Sequence, residues 1–263
     1  MFNRRWVTAW RLFKSKDFKG LVNRTVAFSR RFNDRPSPID YNEWRKEWVD
    51  LTGEEKLHIE KFFDFTPSSP SFTLLVTVET TSNYELVFST IKSIASQIYP
   101  NWMLFVVSEN PIEVELSNKI FELNESRIKF TEEVPSDLGE WIVELEPGVL
   151  LNEAALSSVA ACVIEQPDVL LIYSDHDHLN ESGIYCDPHM KPDWNPDLFN
   201  AMNYIKPFTG IKNHLWTEAH YENNDQHDFL SRLTENLQEE NIFHLSKILA
   251  SIRIFDDSSH LDL

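Results

Sequence analysis

Residues 169–178 read Val-Leu-Leu-Ile-Tyr-Ser-Asp-His-Asp-His. The first five are a short, unbroken apolar run, as expected of a strand buried on both faces. The next five put two carboxylates and two imidazoles at the end of that strand. Asp175 and Asp177 are two residues apart, so they point the same way if the strand continues, and they can share a hard cation. His176 and His178 offer instead a softer, zinc-like pair. The same residues also suit a polar turn whose Asp side chains bond nearby backbone.

Working outward, the same kind of run recurs. Residues 72–78 (FTLLVTV) and 103–107 (MLFVV) are near-continuous apolar segments. Between them Val87, Ile91, Ile94, Ala95 and Ile98 repeat at helical intervals, and Pro100 stops the helix. Residues 114–123 read as a helix, 127–131 and 141–145 as short strands, and Asn152 as the cap of a helix to Glu165. Strands alternating with helices of this length predict a mostly parallel sheet flanked by helices, an α/β fold. In such sheets ligands bind beyond the carboxyl ends of the strands. Glu79, Ser108-Glu109-Asn110, Glu146-Pro147-Gly148 and residues 174–178 therefore hold the candidate site. No phosphate-cradling glycine loop follows any strand, and the chain has only six glycines, which disfavours a dinucleotide fold or P-loop.

The chain has 263 residues, 42% of them hydrophobic, enough for a sizeable core. Its two cysteines, Cys162 and Cys186, form no disulfide framework or thiolate metal motif and fit a reducing compartment. No apolar run spans a bilayer and no secretory signal is read, so a cytoplasmic location is expected. The net charge of −18 is unevenly placed: residues 1–35 hold ten Lys or Arg against two Asp, leaving −26 for the remainder. An acidic body repels phosphate, so nucleic-acid binding is not expected. The basic arm is different. Phe2, Trp6, Trp10 and Phe13 alternate at helical spacing with Arg4, Arg5, Arg11 and Lys14, a pattern suited to an anionic membrane surface or to packing on the chain's own acidic body. The expected organisation is an arm over 1–35, a helical linker region over 36–69 closed by the breaker TPSSP, and a main domain over 70–263.

Several segments, in order, resemble bacterial family 2 glycosyltransferases of the GT-A fold, the kind that build surface polysaccharides. Residues 70–78 followed by SIASQIYPNW (93–102) resemble the family's opening strand and the helix end after it. Arg127-Ile128-Lys129 and Gly139-Glu140-Trp141-Ile142 resemble the approach to its metal motif. YSDHD (173–177), DPHMKPDWNPDL (187–198) and NYI (203–205) resemble its "YSDED … KPDWSPDLL … NYI" run, and DQHDFLSRL (225–233) its "QDYDL" segment.

The resemblance implies transfer of a sugar, with inversion, from a nucleotide-diphosphate donor to a glycan or lipid-linked acceptor. It also implies a divalent metal, manganese or magnesium. Carried over by position, Glu79 and Glu109 face the donor, and Glu146, Asp175 and Asp177 the metal or diphosphate. Lys191, Asp193 and Trp194 face the acceptor, Trp194 either stacking on a sugar or plugging the core edge. Asp225 or Asp228 is the base, because Gln226 stands at the family's usual position and cannot accept a proton. The departures fall on the chemistry: one carboxylate, Glu146, stands where two are usual, and Ser108-Glu109 where paired aspartates are usual. The alternative is a glycosyltransferase-like interaction module without transfer activity.

Overall fold

The computed structural model describes residues 40–64, 69–79, 81–220, 226–235 and 237–255. The basic arm, 1–35, and Asp225 lie outside them. Two compact units divide between Trp44 and Arg45. The described part of the first begins helix α1 (Tyr41–Trp48), where Tyr41 stacks on Trp44 at 5.7 Å.

In the second unit, α2 (Gly53–Asp64) precedes β1 (Phe72–Thr77), α3 (Tyr84–Ala95), β2 (Trp102–Val107), α4 (Val114–Glu122), β3 (Ile128–Thr131), β4 (Trp141–Glu144) and β5 (Val149–Leu151). Then come α5 (Ala155–Glu165), β6 (Leu171–Leu179), β7 (Tyr185–His189), α6 (Pro196–Ala201), β8 (Thr209–Lys212), α7 (Asn213–His220), α8 (Gln226–Glu235) and β9 (Ile242–Arg253). The segment 45–64, expected in the linker region, clusters with this unit. Phe63 explains part of that, since it is buried edge-on against Tyr99 at 4.7 Å.

Among the described residues nine strands form one mixed sheet in the order β3-β2-β1-β4-β8-β6-β9-β5, with β7 beside β6. Strands β3, β2, β1 and β4 pair in parallel, as the alternation of strands and helices predicts. Strand β8 runs antiparallel between β4 and β6, and β6 is again parallel to β9. Alternate residues of each buried strand go to opposite faces. Leu74, Val76, Trp141, Val143 and Ile172 join Ile91, Ile94 and Leu104 in one core, whereas Leu75, Ile142, Leu171 and Tyr173 join Phe199, Ile211 and Trp216 in another. A sheet with a core on each face is why its central strands are continuously apolar.

Helix α3 shows why the local sequence folds as it does. Asn83 caps it, its Oδ1 accepting from the Glu85 and Leu86 amides, and Val87, Ile91 and Ile94 form its fully buried stripe. Helix α5 starts at Ala155 rather than at Asn152. The Asn152 side chain accepts from the Ala154 amide and closes a turn ahead of the helix.

The main correction concerns residues 174–178. They do not follow a strand that ends at Tyr173: β6 continues to Leu179, and Leu171 through Asp177 are all buried. Strand β9 pairs with it between Ile242 and Arg253, with register shifts on either side of Asp175. The polar residues are thus inside the sheet, and each carboxylate needs a partner there.

Candidate active site

Strands β1 and β2 pair in parallel up to Thr77 and Val107, and two residues beyond those positions stand Glu79 and Glu109, both exposed. A tight turn fixes the first: the Glu79 amide donates to Ser82 Oγ at 2.9 Å, and the Ser82 amide to the Glu79 carbonyl at 3.0 Å. Ser108 secures the second, its buried hydroxyl lying 3.0 Å from the Val78 carbonyl and 2.9 Å from that of Asn110. At the end of β4, Glu144 accepts from Trp216 Nε1 at 2.7 Å, which ties α7 to the sheet. Glu146 follows in a turn closed by Gly148 at φ +98°. Its side chain is 66% exposed, with Lys206 Nζ at 3.9 Å. Glu79, Glu109 and Glu146 thus share the carboxyl ends of three adjacent parallel strands, the place where open α/β sheets bind ligands.

Asp175 and Asp177 are placed differently. Asp175 Oδ1 accepts the Lys191 amide at 2.8 Å and lies 2.8 Å from His244 Nε2. The other nitrogen of that imidazole is 3.3 Å from Asp193 Oδ1, and Tyr173 stacks on the ring at 5.0 Å. Asp177, fully buried, pairs with Arg45 Nε at 2.8 Å. Arg45 also meets Asp50 at 2.9 Å and covers the Tyr185 ring. The structure therefore gives the two aspartates separate partners. Among the described residues, Glu146, Asp175 and Asp177 do not form a three-ligand cluster; His176, His178 and His189 do.

On the acceptor side, Lys191 is turned inward. Its Nζ donates to the Ile205 and Lys206 carbonyls at 3.1 and 2.6 Å, and burial pushes its pKa down to about 7. Asp193 has a carboxylate 95% exposed. Trp194 is half-buried against Phe199 at 5.1 Å, in keeping with a structural part. Asp228 lies on helix α8, whose backbone alone is described at that position. Sequence reasoning missed Arg45 and His189 as partners and gave His244 no role. Arg45 and His244 meet their partners only through long-range pairing, such as the register of Tyr173 with His244.

Solved structures share this fold. Staphylococcus aureus TarS, residues 1–349 in complex with UDP-GlcNAc, superposes with a TM-score of 0.53 at 15% identity, over 70% of this chain and 58% of that one. This chain has the GT-A fold. GalNAc-T7 with UDP, GalNAc and Mn2+ matches with a TM-score of 0.52 at 8% identity, over 72% of this chain and 44% of that one. Among curated proteins, the uncharacterized protein y4gI of Sinorhizobium fredii is 30% identical over 188 residues, 64% of this chain and 21% of its own length. The O-antigen biosynthesis protein RfbC of Myxococcus xanthus is 26% identical over 165 residues, 55% of this chain and 13% of its own length. This GT-A chain thus spans a small part of the curated relatives it matches. No family model matches it.

Two predictions follow from the buried charges. Replacing Arg45 by Met removes the ion pair to the buried Asp177 carboxylate and should cost about 3–5 kcal/mol in urea unfolding, whereas Arg45→Met with Asp177→Leu should regain most of it. Lys191 titrates near 10.5 when unfolded and near 7 when folded. Between those values the unfolded state holds more protons, so this group makes stability rise with pH from about 7 to about 10. A pH series of unfolding should show a shallower rise in Lys191→Met; an unchanged slope contradicts the assignment.

Proposed function

We propose that this chain is the nucleotide-sugar-binding domain of a glycosyltransferase that acts in surface-polysaccharide synthesis. What supports this is the set of exposed carboxylates, Glu79, Glu109 and Glu146, at the carboxyl ends of β1, β2 and β4 in a GT-A fold whose solved neighbours include UDP-sugar complexes. Glu79 and Glu109 accept hydrogen bonds from the nucleoside. Glu146 faces the diphosphate.

A divalent cation fits only in a limited way. Asp175 and Asp177 are committed to His244 and Arg45, so Glu146 is the one candidate carboxylate exposed toward a metal. A single carboxylate with donor phosphates and water is an arrangement magnesium accepts, which makes the metal and donor bind together. When bound, the cation neutralises the leaving diphosphate. In the transfer itself, an acceptor hydroxyl attacks the anomeric carbon, the bond to the diphosphate breaks, and the proton passes to Asp225 or Asp228. Asp193, exposed beside His244, bonds acceptor hydroxyls.

The second reading, a non-catalytic module, draws on the same engagement of Asp175 and Asp177. Calorimetric titration with UDP-, GDP- and dTDP-sugars, with and without manganese or magnesium, separates the two. We expect metal-dependent binding of one donor, weakened at least tenfold by Glu146→Ala and by Glu109→Ala. No binding by the folded protein would favour the module. Asp225→Asn and Asp228→Asn test the base: loss of turnover with donor affinity retained is expected of one of them.

Among the described residues no helix is long and apolar enough to cross a membrane. The basic aromatic arm supports a peripheral location at a cytoplasmic membrane face, near lipid-linked acceptors. Deleting residues 1–35 should abolish binding to anionic vesicles while leaving the unfolding midpoint of the remainder in place. Unchanged vesicle binding would contradict it.

A further inference from the structure

The β6–β7 hairpin carries a group of side chains that the proposed transfer does not use. His176 and His178 lie on β6, and His189 lies on β7 directly opposite His176. The ring of His189 is parallel to that of His176 at 4.6 Å, and His178 meets both edge-on at 5.8 and 5.1 Å. One ring nitrogen from each of the three lies within 4.8 Å of the others. Around a tetrahedral ion with Zn–N bonds of about 2.1 Å, nitrogens are roughly 3.4 Å apart, so the three rings would draw closer on binding.

The backbone brings them onto one face by an irregularity. His176 faces His189 and His178 faces Cys186, so two steps on β6 are matched by three on β7. An odd step would send His189 to the opposite face of a regular strand. The extra residue is absorbed at a bulge where Asp187 takes φ +48°, a conformation that non-glycine residues seldom adopt. The Asp187 carboxylate then sits between two of the imidazoles, 3.0 Å from His189 Nε2 and 3.2 Å from His178 Nδ1. A carboxylate behind a ring nitrogen is how metal-binding histidines are oriented.

Two ring nitrogens of the group lack a hydrogen bond. His176 is 9% exposed, and its Nδ1 is buried without a hydrogen-bond partner. The Nδ1 of His178 is also buried without a hydrogen bond, 3.2 Å from the Asp187 oxygen. Buried nitrogens in a ring cluster cost free energy that a shared ligand removes.

We infer that His176, His178 and His189 form a site for a borderline divalent transition metal such as zinc, distinct from any cation bound with the donor, with Asp187 as the residue that orients the rings. All-nitrogen donors suit zinc, copper or nickel, whereas magnesium takes oxygen ligands. Among the described residues strand β7 pairs only with β6, outside the main path of the sheet, so the metal fastens an edge hairpin whose own pairing is short.

The test uses the untagged full chain, stripped with chelator and titrated with zinc in the absence of nucleotide. Saturable binding and a thermal midpoint higher by several degrees are expected, with no response to magnesium. His189 is exposed, so His189→Ala should keep the metal-free midpoint while weakening zinc by about 100-fold, and Asp187→Asn should weaken it about tenfold. His178→Ala serves as the second ligand test. Zinc affinity equal in wild type and His189→Ala, or no binding at about 0.1 mM zinc, overturns the assignment.

Discussion

Strand β6 carries two carboxylates, Asp175 and Asp177, through a stretch in which seven consecutive residues are buried, and the sheet around it is organised to answer them. A buried carboxylate without a partner is costly, and removing a partner leaves the full penalty behind. Asp177 is met by Arg45, which belongs to the same unit as the sheet. Asp175 is met by His244 of β9 and by the amide of Lys191. Those contacts also fix neighbouring parts: Lys191 holds the carbonyls of Ile205 and Lys206, and Tyr173 packs on His244 and donates to the Pro192 carbonyl at 2.7 Å. The acidic run at the centre of the sheet is therefore a framework element, with Asp193 as its exposed outlet.

That engagement separates two chemistries. Glu79, Glu109 and Glu146 stand exposed at the carboxyl ends of β1, β2 and β4, where a donor is expected. The imidazoles lie on the hairpin of β6 and β7. A hard cation bound with phosphate and a borderline ion held by nitrogen draw on different residues, so loss of one need not affect the other.

Much of this was legible in the sequence. The runs 72–78 and 103–107 became β1 and β2, as short apolar runs bounded by turn signals suggest, and the spacing of Val87, Ile91 and Ile94 became the buried stripe of α3. The positions of Glu79, Glu109 and Glu146 followed from where those strands end. The extension of β6 through residues 174–177 was not legible, because a run of charged residues reads as a turn until its partners are known. Arg45 is 132 positions from Asp177 and His244 is 69 from Asp175, and no local pattern signals such pairs. His189 joined the imidazoles only through a bulge, which periodicity alone predicts onto the wrong face.

The most direct measurement is an amide chemical-shift map of the isotope-labelled chain titrated with UDP and magnesium. The account predicts saturable shifts confined to Glu79, residues 108–110 and residues 146–148, with Asp175 and Asp177 unmoved. Shifts centred on residues 175–178, or none at saturating nucleotide, would contradict it.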